Sequence, residues 1–144
     1  MIVVVDDSST DEIKYRIKKY KNIKYFKRKT KSGRGSAVLF GMSKILKEKK
    51  IEHIVEMDTD LSSHPKELIR NLKFFNKEKL DLLIMSRYLQ GSKIINWPLR
   101  RRIFSFLSNK LAYFLLRVKV SDYTMGYRIY SKKAVEYVVK NCGK

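Results

Sequence analysis

Short apolar runs that end directly in carboxylates constrain the fold of this chain more than any other feature of its sequence. Residues 2–5 are all β-branched, and residues 6–11 directly after them include three aspartates. Residues 51–57 form a second apolar-rich run, and Asp58 and Asp60 follow it. A β-branched run is typical of a strand that is covered on both faces of a sheet. In an open parallel sheet, ligands bind at the carboxyl ends of the strands, so both acidic clusters are expected at that edge.

Strands and helices are predicted to alternate along the whole chain. The predicted strands cover residues 2–5, 23–26, 51–57, 80–85 and 127–130. The predicted helices cover residues 11–21, a segment after Gly35, a segment from Pro65, residues 98–117 and residues 132–141. Ser63 or His64 is expected to cap the third helix, whose buried face is Leu68, Ile69, Leu72 and Phe75, and Ser131 is expected to cap the fifth. The alternation predicts one α/β domain over residues 1–144, with a mostly parallel open sheet and flanking helices.

Length and charge bound the function only loosely. The 144 residues include 33 Lys+Arg and 14 Asp+Glu, which gives a formal net charge of +19. This excess favours an anionic partner, such as nucleic acid, an anionic membrane face or an anionic substrate, although a general preference for lysine explains it equally well. The single cysteine, Cys142, excludes an internal disulfide and a cysteine-built zinc site. Without a run of about 20 apolar residues or a signal peptide, we expect a chain that is soluble or lies on a membrane surface.

Asp58 and Asp60 are candidate metal ligands. In an extended segment, two residues that are separated by one other point to the same side. Two carboxylates in this arrangement suit Mg²⁺ or Mn²⁺, which take oxygen ligands and often share them with a diphosphate. The alternative is that Asp60 only caps a turn. The position after a buried strand favours the metal site.

The other acidic cluster and a glycine-containing loop are candidate nucleotide ligands. Asp6 and Asp7 are able to accept hydrogen bonds from a base or a ribose, but capping of the next helix by Ser9 and Asp11 explains this cluster equally well. The loop at residues 31–35, with the sequence KSGRG, resembles a weak phosphate-binding loop. It lacks the spacing of a Walker A motif or of a dinucleotide-binding fingerprint, so both of those nucleotide folds are excluded on this basis.

Basic and hydroxyl side chains in the second half of the chain are candidate phosphate ligands. Arg87 follows a predicted strand, and Arg101, Ser105 and Ser108 share one face of the predicted helix 98–117. Arginine forks and hydroxyl groups suit a phosphate, while an ordinary solvated face is the alternative. The same helix is otherwise apolar and carries basic residues at 100–102, so it is predicted either to lie in a membrane interface or to belong to the core.

Taken together, five segments resemble a known family. They are VVVDDSSTDEI (3–13), KSGRGSAVLFGM (31–42), VEMDTDLSSHPKEL (55–68), MSRYLQGSKIINWPLRRRIFSFLSNKLA (85–112) and VSDYTMGYRIYSKKAVE (120–136). Their order and sequence are similar to those of the GT-A glycosyltransferases of family 2, specifically the dolichol-phosphate (polyprenyl-phosphate) mannose synthase group. The fourth and fifth segments are the most specific, because a plain DxD motif is shared by many glycosyltransferases.

The resemblance implies a role for individual residues. The nucleotide ligands would be Asp6, Asp7, Ser9, Asp11, Gly33, Gly35 and Asp58. Asp58 and Asp60 would hold Mg²⁺ or Mn²⁺ on the diphosphate. The catalytic set would be Asp60, Arg87, Arg101, Ser105, Asp122 and Arg128, in which Arg87, Arg101 and Ser105 receive the lipid phosphate.

The resemblance also implies the reaction, the partners and the location. The expected activity is an inverting transfer of mannose from GDP-mannose to a polyprenyl phosphate, on the cytoplasmic face of a membrane, with a membrane-anchoring partner subunit as a further candidate. The family's first strand and its C-terminal segment have no counterpart here, so the chain is expected to be truncated at both ends. A truncated fragment that is inactive or depends on a partner is therefore the alternative. A nucleic-acid-binding module is a distant one, because an acidic edge would repel a nucleic-acid backbone.

Overall fold

The computed structural model describes residues 1–48, 50–60, 64–92, 94 and 97–142. Its strands are β1 (Ile2–Asp6), β2 (Ile23–Lys27), β3 (His53–Glu56), β4 (Leu82–Ile84) and β5 (Arg128–Ser131). Its α-helices are α1 (Ile13–Ile17), α2 (Arg34–Ile45), α3 (Leu68–Lys77), α4 (Leu99–Leu116) and α5 (Lys132–Cys142), and a 3-10 turn, Pro65–Glu67, precedes α3. Every predicted strand and helix is therefore present, although several are shorter than predicted.

The strands form two sheets in the described part of the chain. β1 and β2 pair in parallel, with a register that runs from Ile2 opposite Ile23 to Asp6 opposite Lys27. The other three strands form a sheet in the order β3-β5-β4. The α/β class with a parallel sheet and flanking helices is confirmed.

The chain divides into two compact units. The first unit comprises Met1–Ile54 and Tyr130–Lys144, and the second unit comprises Val55–Ile129. The interpretation of residues 1–144 as one domain stays a prediction.

The core of the first unit lies between α2, α5 and the ends of β3 and β5. Met42, Ile54, Tyr130 and Val135 are buried in it. Gly41 allows α2 to approach β1 closely, because a Cβ atom at this position would lie 3.1 Å from a methyl group of Val5.

The core of the second unit lies under α3. Phe75, Tyr127 and Ile129 are buried there, and Leu68 and Leu72 pack against them. The prediction that Ile69 belongs to the buried face of this helix is wrong, since its side chain is 68% exposed. The apolar residues at 68, 69 and 72 predict a buried face that is wider than the face that α3 actually buries.

Two predicted helix caps lie at the starts of α3 and α5. The His64 imidazole accepts a hydrogen bond from the Lys66 N–H at 3.1 Å and caps the 3-10 turn, which confirms His64 as one of the two candidates. The other candidate, Ser63, lies outside the described residues. The Ser131 hydroxyl accepts a hydrogen bond from the Ala134 N–H at 3.1 Å, as predicted for the cap of α5.

The first helix is much shorter than the predicted span 11–21. α1 has five residues and no buried side chain, and its N-cap residue, Glu12, makes no side-chain capping bond. Like charges three and four residues apart, such as Lys14 and Lys18, destabilise a helix on one face. A helix without an apolar face against a core does not extend further.

The long helix α4 has an inverted distribution of polarity. Ser105 and Asn109 are its buried residues, and Ser108 and Ala112 are half-buried beside them. Its large apolar side chains are exposed: Leu99, Ile103, Phe104, Phe106, Leu107, Leu111, Tyr113, Phe114, Leu115 and Leu116. Among the helices of the described residues, this one included, none combines the length and apolar character needed to cross a membrane.

Candidate active site

Arg87 and Asp122 form a bidentate ion pair in the second unit. Arg87 follows β4, and Asp122 lies in the segment that leads to β5. The Arg87 Nε donates to Asp122 Oδ2 at 2.7 Å, and Nη2 donates to Oδ1 at 2.8 Å. The backbone N–H of Arg87 donates to the same carboxylate at 3.2 Å. The Asp122 side chain is fully buried, whereas 21% of the Arg87 side chain is exposed, so one edge of a fixed guanidinium reaches solvent.

The electrostatics of this pair keep both groups charged. Burial disfavours the ionised form of Asp122, but the hydrogen bonds from the Arg87 side chain and backbone outweigh it and hold the pKa of the carboxyl below its usual value. The hydrogen bonds to Asp122 likewise raise the pKa of Arg87, against the effect of burial. The guanidinium is therefore a permanent cation in a fixed position, which is what recognition of an anion needs.

Residues near Asp122 hold the segment around it. Thr124 donates from its hydroxyl to Asp122 at 3.0 Å and accepts from Arg87 Nη2 at 2.6 Å. The Arg128 guanidinium donates to two carbonyl groups of the same segment, those of Met125 at 3.0 Å and Tyr123 at 2.9 Å. These bonds make Arg128 a residue that fixes the loop.

The buried polar stripe of α4 connects this helix to the residues next to Arg87. The Tyr88 hydroxyl donates to the Ser105 hydroxyl oxygen at 2.6 Å. One turn further on, Asn109 donates to the Ser105 carbonyl at 2.8 Å and accepts from the Tyr123 N–H at 2.6 Å. The predicted stripe is therefore real, but Ser105 lies on a buried face rather than on a solvated one.

One tryptophan ring contacts both of the predicted phosphate-binding arginines. The guanidinium carbon of Arg101 lies 4.1 Å from the centre of the Trp97 ring, over the ring. The guanidinium carbon of Arg87 lies 4.7 Å from the same centre. Arg87, Arg101, Ser105 and Asp122 are thus linked through direct contacts with Trp97 and Tyr88, all within the second unit.

Asp58 and Asp60 follow β3, as predicted, and both side chains are exposed. Among the residues that the structure describes, no group of three or more His, Cys, Asp or Glu side chains is placed to hold a metal. Asp58 and Asp60 stay the two predicted carboxylate ligands. This is the set that Mg²⁺ accepts when phosphate oxygens and water supply its remaining ligands.

In the first unit, Asp6 is the buried last residue of β1. Its carboxylate accepts from the Tyr25 hydroxyl at 2.5 Å and from the Ser9 N–H at 2.7 Å. The hydrogen bond from Tyr25 is the largest cause that lowers the pKa of Asp6, and the same bond raises the pKa of Tyr25 to about 12. Asp11 is exposed two residues beyond Ser9. Asp6 therefore orders the loop by bonds within the protein.

Asp7 connects that turn to the glycine-containing loop. Its carboxylate accepts from the Gly33 N–H at 2.8 Å, from the Ser32 N–H at 3.2 Å and from Arg28 Nη1 at 2.8 Å. Gly33 has a φ of +85°, which favours glycine, and a Cβ atom at Gly33 or Gly35 would meet nothing within 4 Å. The structure therefore brings Asp7 and the 31–35 loop together, with open space beside both glycines.

Comparison with known proteins identifies the family. The family model described as Glycosyl transferase family 2 matches residues 1–139.

The chain belongs to glycosyl transferase family 2.

Two relatives from this comparison carry related names. A polyprenol monophosphomannose synthase of Mycolicibacterium smegmatis is 36% identical over 142 residues, which are 95% of this chain and 53% of that protein. An undecaprenyl-phosphate mannosyltransferase of Micrococcus luteus is 34% identical over 133 residues, which are 90% of this chain and 54% of that protein. The chain spans about half the length of these curated relatives. The predicted membership of family 2 is confirmed.

Several residues of this family 2 chain's site were missed by sequence reasoning. Trp97 and Thr124 lie in the two most specific of the five segments that carry the resemblance, yet neither received a role. Trp97 is the single tryptophan of the chain and lies two residues before a helix with three arginines in its first turn, which is a signal for a stacked guanidinium. Tyr25 and Arg28 carry no such signal, because they are one tyrosine among nine and one basic residue among 33.

Proposed function

We propose that this chain transfers a sugar, mannose from GDP-mannose, to a polyprenyl phosphate at a membrane surface. The observation that carries the proposal is the arginine pair of the second unit. Arg87 is held by the buried Asp122, and Arg101 lies over the same Trp97 ring as Arg87. Two permanent cations that are oriented by buried or aromatic groups suit a phosphate ester better than a neutral acceptor.

The chemistry of such an acceptor requires little from the protein besides position and charge. A lipid phosphate is already an anion at neutral pH, so no general base has to remove a proton. An oxygen of the acceptor phosphate forms a bond to the anomeric carbon of the sugar, and the bond from that carbon to the nucleoside diphosphate breaks with its electron pair. Attack from the opposite face inverts the anomeric centre. Arg87 and Arg101 would hold the attacking phosphate in place, and position is a large part of catalysis.

Asp58 and Asp60 would hold the divalent cation, Mg²⁺ or Mn²⁺. When bound, that ion would neutralise charge on the departing diphosphate. Two exposed carboxylates after a strand support this assignment, since they leave room for ligands from the diphosphate. Nothing in the proposal requires a third protein carboxylate.

The loops of the first unit would contact the nucleotide. Asp7 already orders residues 32 and 33 through their N–H groups, and the space beside Gly33 and Gly35 leaves the backbone accessible. Asp6, with Ser9 and Tyr25, would fix the shape of the neighbouring turn. In this arrangement Asp6 acts on the nucleotide through the loop, while Ser9 and Asp11 define its border.

The exposed apolar side chains of α4 would lie in the membrane interface. Phe104 and Phe114 are 74% and 73% exposed, and basic residues at 100–102 precede them in the first turn of the helix. Apolar side chains enter the interface and basic side chains attract the anionic lipids of a cytoplasmic leaflet, so the proposal includes the cytoplasmic face. A membrane-anchoring partner subunit stays a prediction.

Transfer of radiolabelled mannose from GDP-mannose to a short-chain polyprenyl phosphate, with Mn²⁺ and lipid vesicles, tests the proposal. We expect labelled lipid from the wild-type chain, at least 100-fold less from Asp60→Asn or Arg101→Gln, and unchanged transfer by Arg70→Gln. Arg70 is the matched control because it is an exposed arginine of the same unit, on α3. Transfer from UDP-glucose but not from GDP-mannose would overturn the sugar assignment, and an Arg101→Gln variant as active as Arg70→Gln would overturn the site.

A further inference from the structure

The Arg101 guanidinium interacts with an aromatic ring. Within the described residues, its guanidinium makes neither a hydrogen bond nor an ion pair, and it lies over Trp97 at 4.1 Å. The side chain projects from an exposed position in the first turn of α4. Its N–H donors are therefore available to a ligand, and the tryptophan ring is the group that orients them.

Arg87 differs, because its position is fixed independently. Nε and Nη2 donate to Asp122, and Nη2 also donates to Thr124. In the part of the chain that the structure describes, Nη1 makes no hydrogen bond. The guanidinium lies over the Trp97 ring at 4.7 Å, so the same ring contacts both the Arg87 cation, which Asp122 fixes, and the Arg101 cation.

Two guanidinium groups that approach one phosphate repel each other until the phosphate arrives. The face of an indole ring carries negative electrostatic potential and attracts each cation, most strongly among the aromatic side chains. A shared ring therefore offsets part of the repulsion and removes part of the side-chain entropy that Arg101 would otherwise lose on binding. This is preorganisation of an anion site by an uncharged residue.

We propose that Trp97 is a positioning residue for the acceptor phosphate: it orients the Arg101 guanidinium, which contacts the same ring as Arg87, so that both arginines donate to one phosphate group. The inference rests on the proposed function, since it specifies how the acceptor site is ordered. Trp97 touches the arginines and acts through them. Phenylalanine at this position keeps an aromatic face, whereas leucine keeps only apolar bulk.

Binding of farnesyl phosphate to the full chain, measured by titration calorimetry with farnesol as the uncharged control, tests the inference. We expect the wild-type chain to prefer the phosphate. Trp97→Leu should weaken phosphate binding about tenfold, which corresponds to about 1.4 kcal/mol, and leave binding of farnesol unchanged. Trp97→Phe should restore affinity to within about threefold of the wild type.

A double-mutant cycle with Arg101→Gln separates positioning from a merely structural role. If Trp97 acts through Arg101, Trp97→Leu should cost no more than about threefold once Arg101 is already glutamine. A full tenfold cost in that background would overturn the inference.

The fluorescence of Trp97 also reports on this site directly, because Trp97 is the single tryptophan of the chain. Farnesyl phosphate should change its fluorescence emission, and Arg101→Gln should abolish that change, so the test stands even if Trp97→Leu does not fold. Emission that is unaffected by calorimetrically bound phosphate would contradict the inference. If Arg101→Gln loses binding of farnesyl phosphate but Trp97→Leu does not, this inference alone is wrong. If the wild-type chain binds farnesyl phosphate no better than farnesol, the proposed acceptor site is wrong as well.

Discussion

Replacement of Asp122 by asparagine tests whether the arginine of the candidate site is held by a buried charge. Asp122 is fully buried and accepts from the side chain and backbone of Arg87 and from Thr124. Removal of one partner from a buried ion pair costs about 3–5 kcal/mol, because it leaves the other charge without compensation. Arg87 is partly exposed and asparagine keeps one acceptor oxygen, so we expect the lower end, about 3 kcal/mol.

Urea unfolding followed by circular dichroism measures this loss. With a slope of about 2 kcal/mol/M, the expected loss moves the midpoint down by about 1.5 M. Arg70→Gln is the matched control, since it also replaces one charged partner by an amide. Its ion pair with Glu67 is long, at 3.6 Å, and its side chain is 77% exposed, so it should change stability by less than about 0.5 kcal/mol. A loss below about 1 kcal/mol in Asp122→Asn would refute the reasoning that this is a buried and compensated charge pair.

Three further predictions concern pH and membranes. The pKa of Asp122 lies below its ordinary 3.8, so the stability difference between wild type and Asp122→Asn should be full above about pH 4 and shrink in urea titrations at lower pH. The pKa of Tyr25 is raised from 10.0 to about 12, so its hydrogen bond to Asp6 should stabilise the chain fully below pH 10 and be lost toward pH 12. Tyr25→Phe should remove this loss of stability at alkaline pH. The same substitution should raise the pKa of Asp6, as measured by NMR. Phe114→Glu should lower the affinity for anionic vesicles, measured by sedimentation, at least tenfold. Tyr137→Glu, which replaces a similarly exposed ring on α5, should leave that affinity unchanged.

The strands and the positions of the acidic clusters were predictable because their signals are local. A β-branched run that ends in aspartates marks both a buried strand and its end, and β1 and β3 lie where those runs are. The same holds for the caps at His64 and Ser131, since a cap bonds to an N–H group two or three residues away.

The partners of those carboxylates were not predictable, because each lies far away in sequence. Asp6 is bonded to Tyr25, Asp7 to Gly33, and Asp122 to Arg87, across gaps of 19, 26 and 35 residues. Nothing in the local sequence distinguishes a carboxylate that binds a nucleotide from one that orders the loop next to it. The resemblance to the family named candidate residues at these positions, and the structure separates Asp6 and Asp122, which are buried, from Asp58 and Asp60, which are exposed.

The helix α4 shows most clearly where periodicity alone misleads. A polar stripe on an apolar helix normally faces water, yet here Ser105 and Asn109 are buried and the large apolar side chains are exposed. Tyr88 and Tyr123 compensate the buried stripe by hydrogen bonds, so inward-facing polar side chains carry no unsatisfied groups that would oppose this orientation.

This orientation places two kinds of surface on one element. The first turn of α4 carries Arg101, oriented by Trp97, and the rest of the helix exposes aromatic and aliphatic side chains such as Phe104 and Phe114. A water-soluble anion would use only the first surface, and a neutral lipid only the second. An acceptor with a phosphate head and a long apolar tail, carried in a membrane, uses both. The exposed apolar side chains and the arginine of α4 thus both support the proposed lipid phosphate acceptor, and the vesicle and farnesyl phosphate measurements test these two surfaces separately.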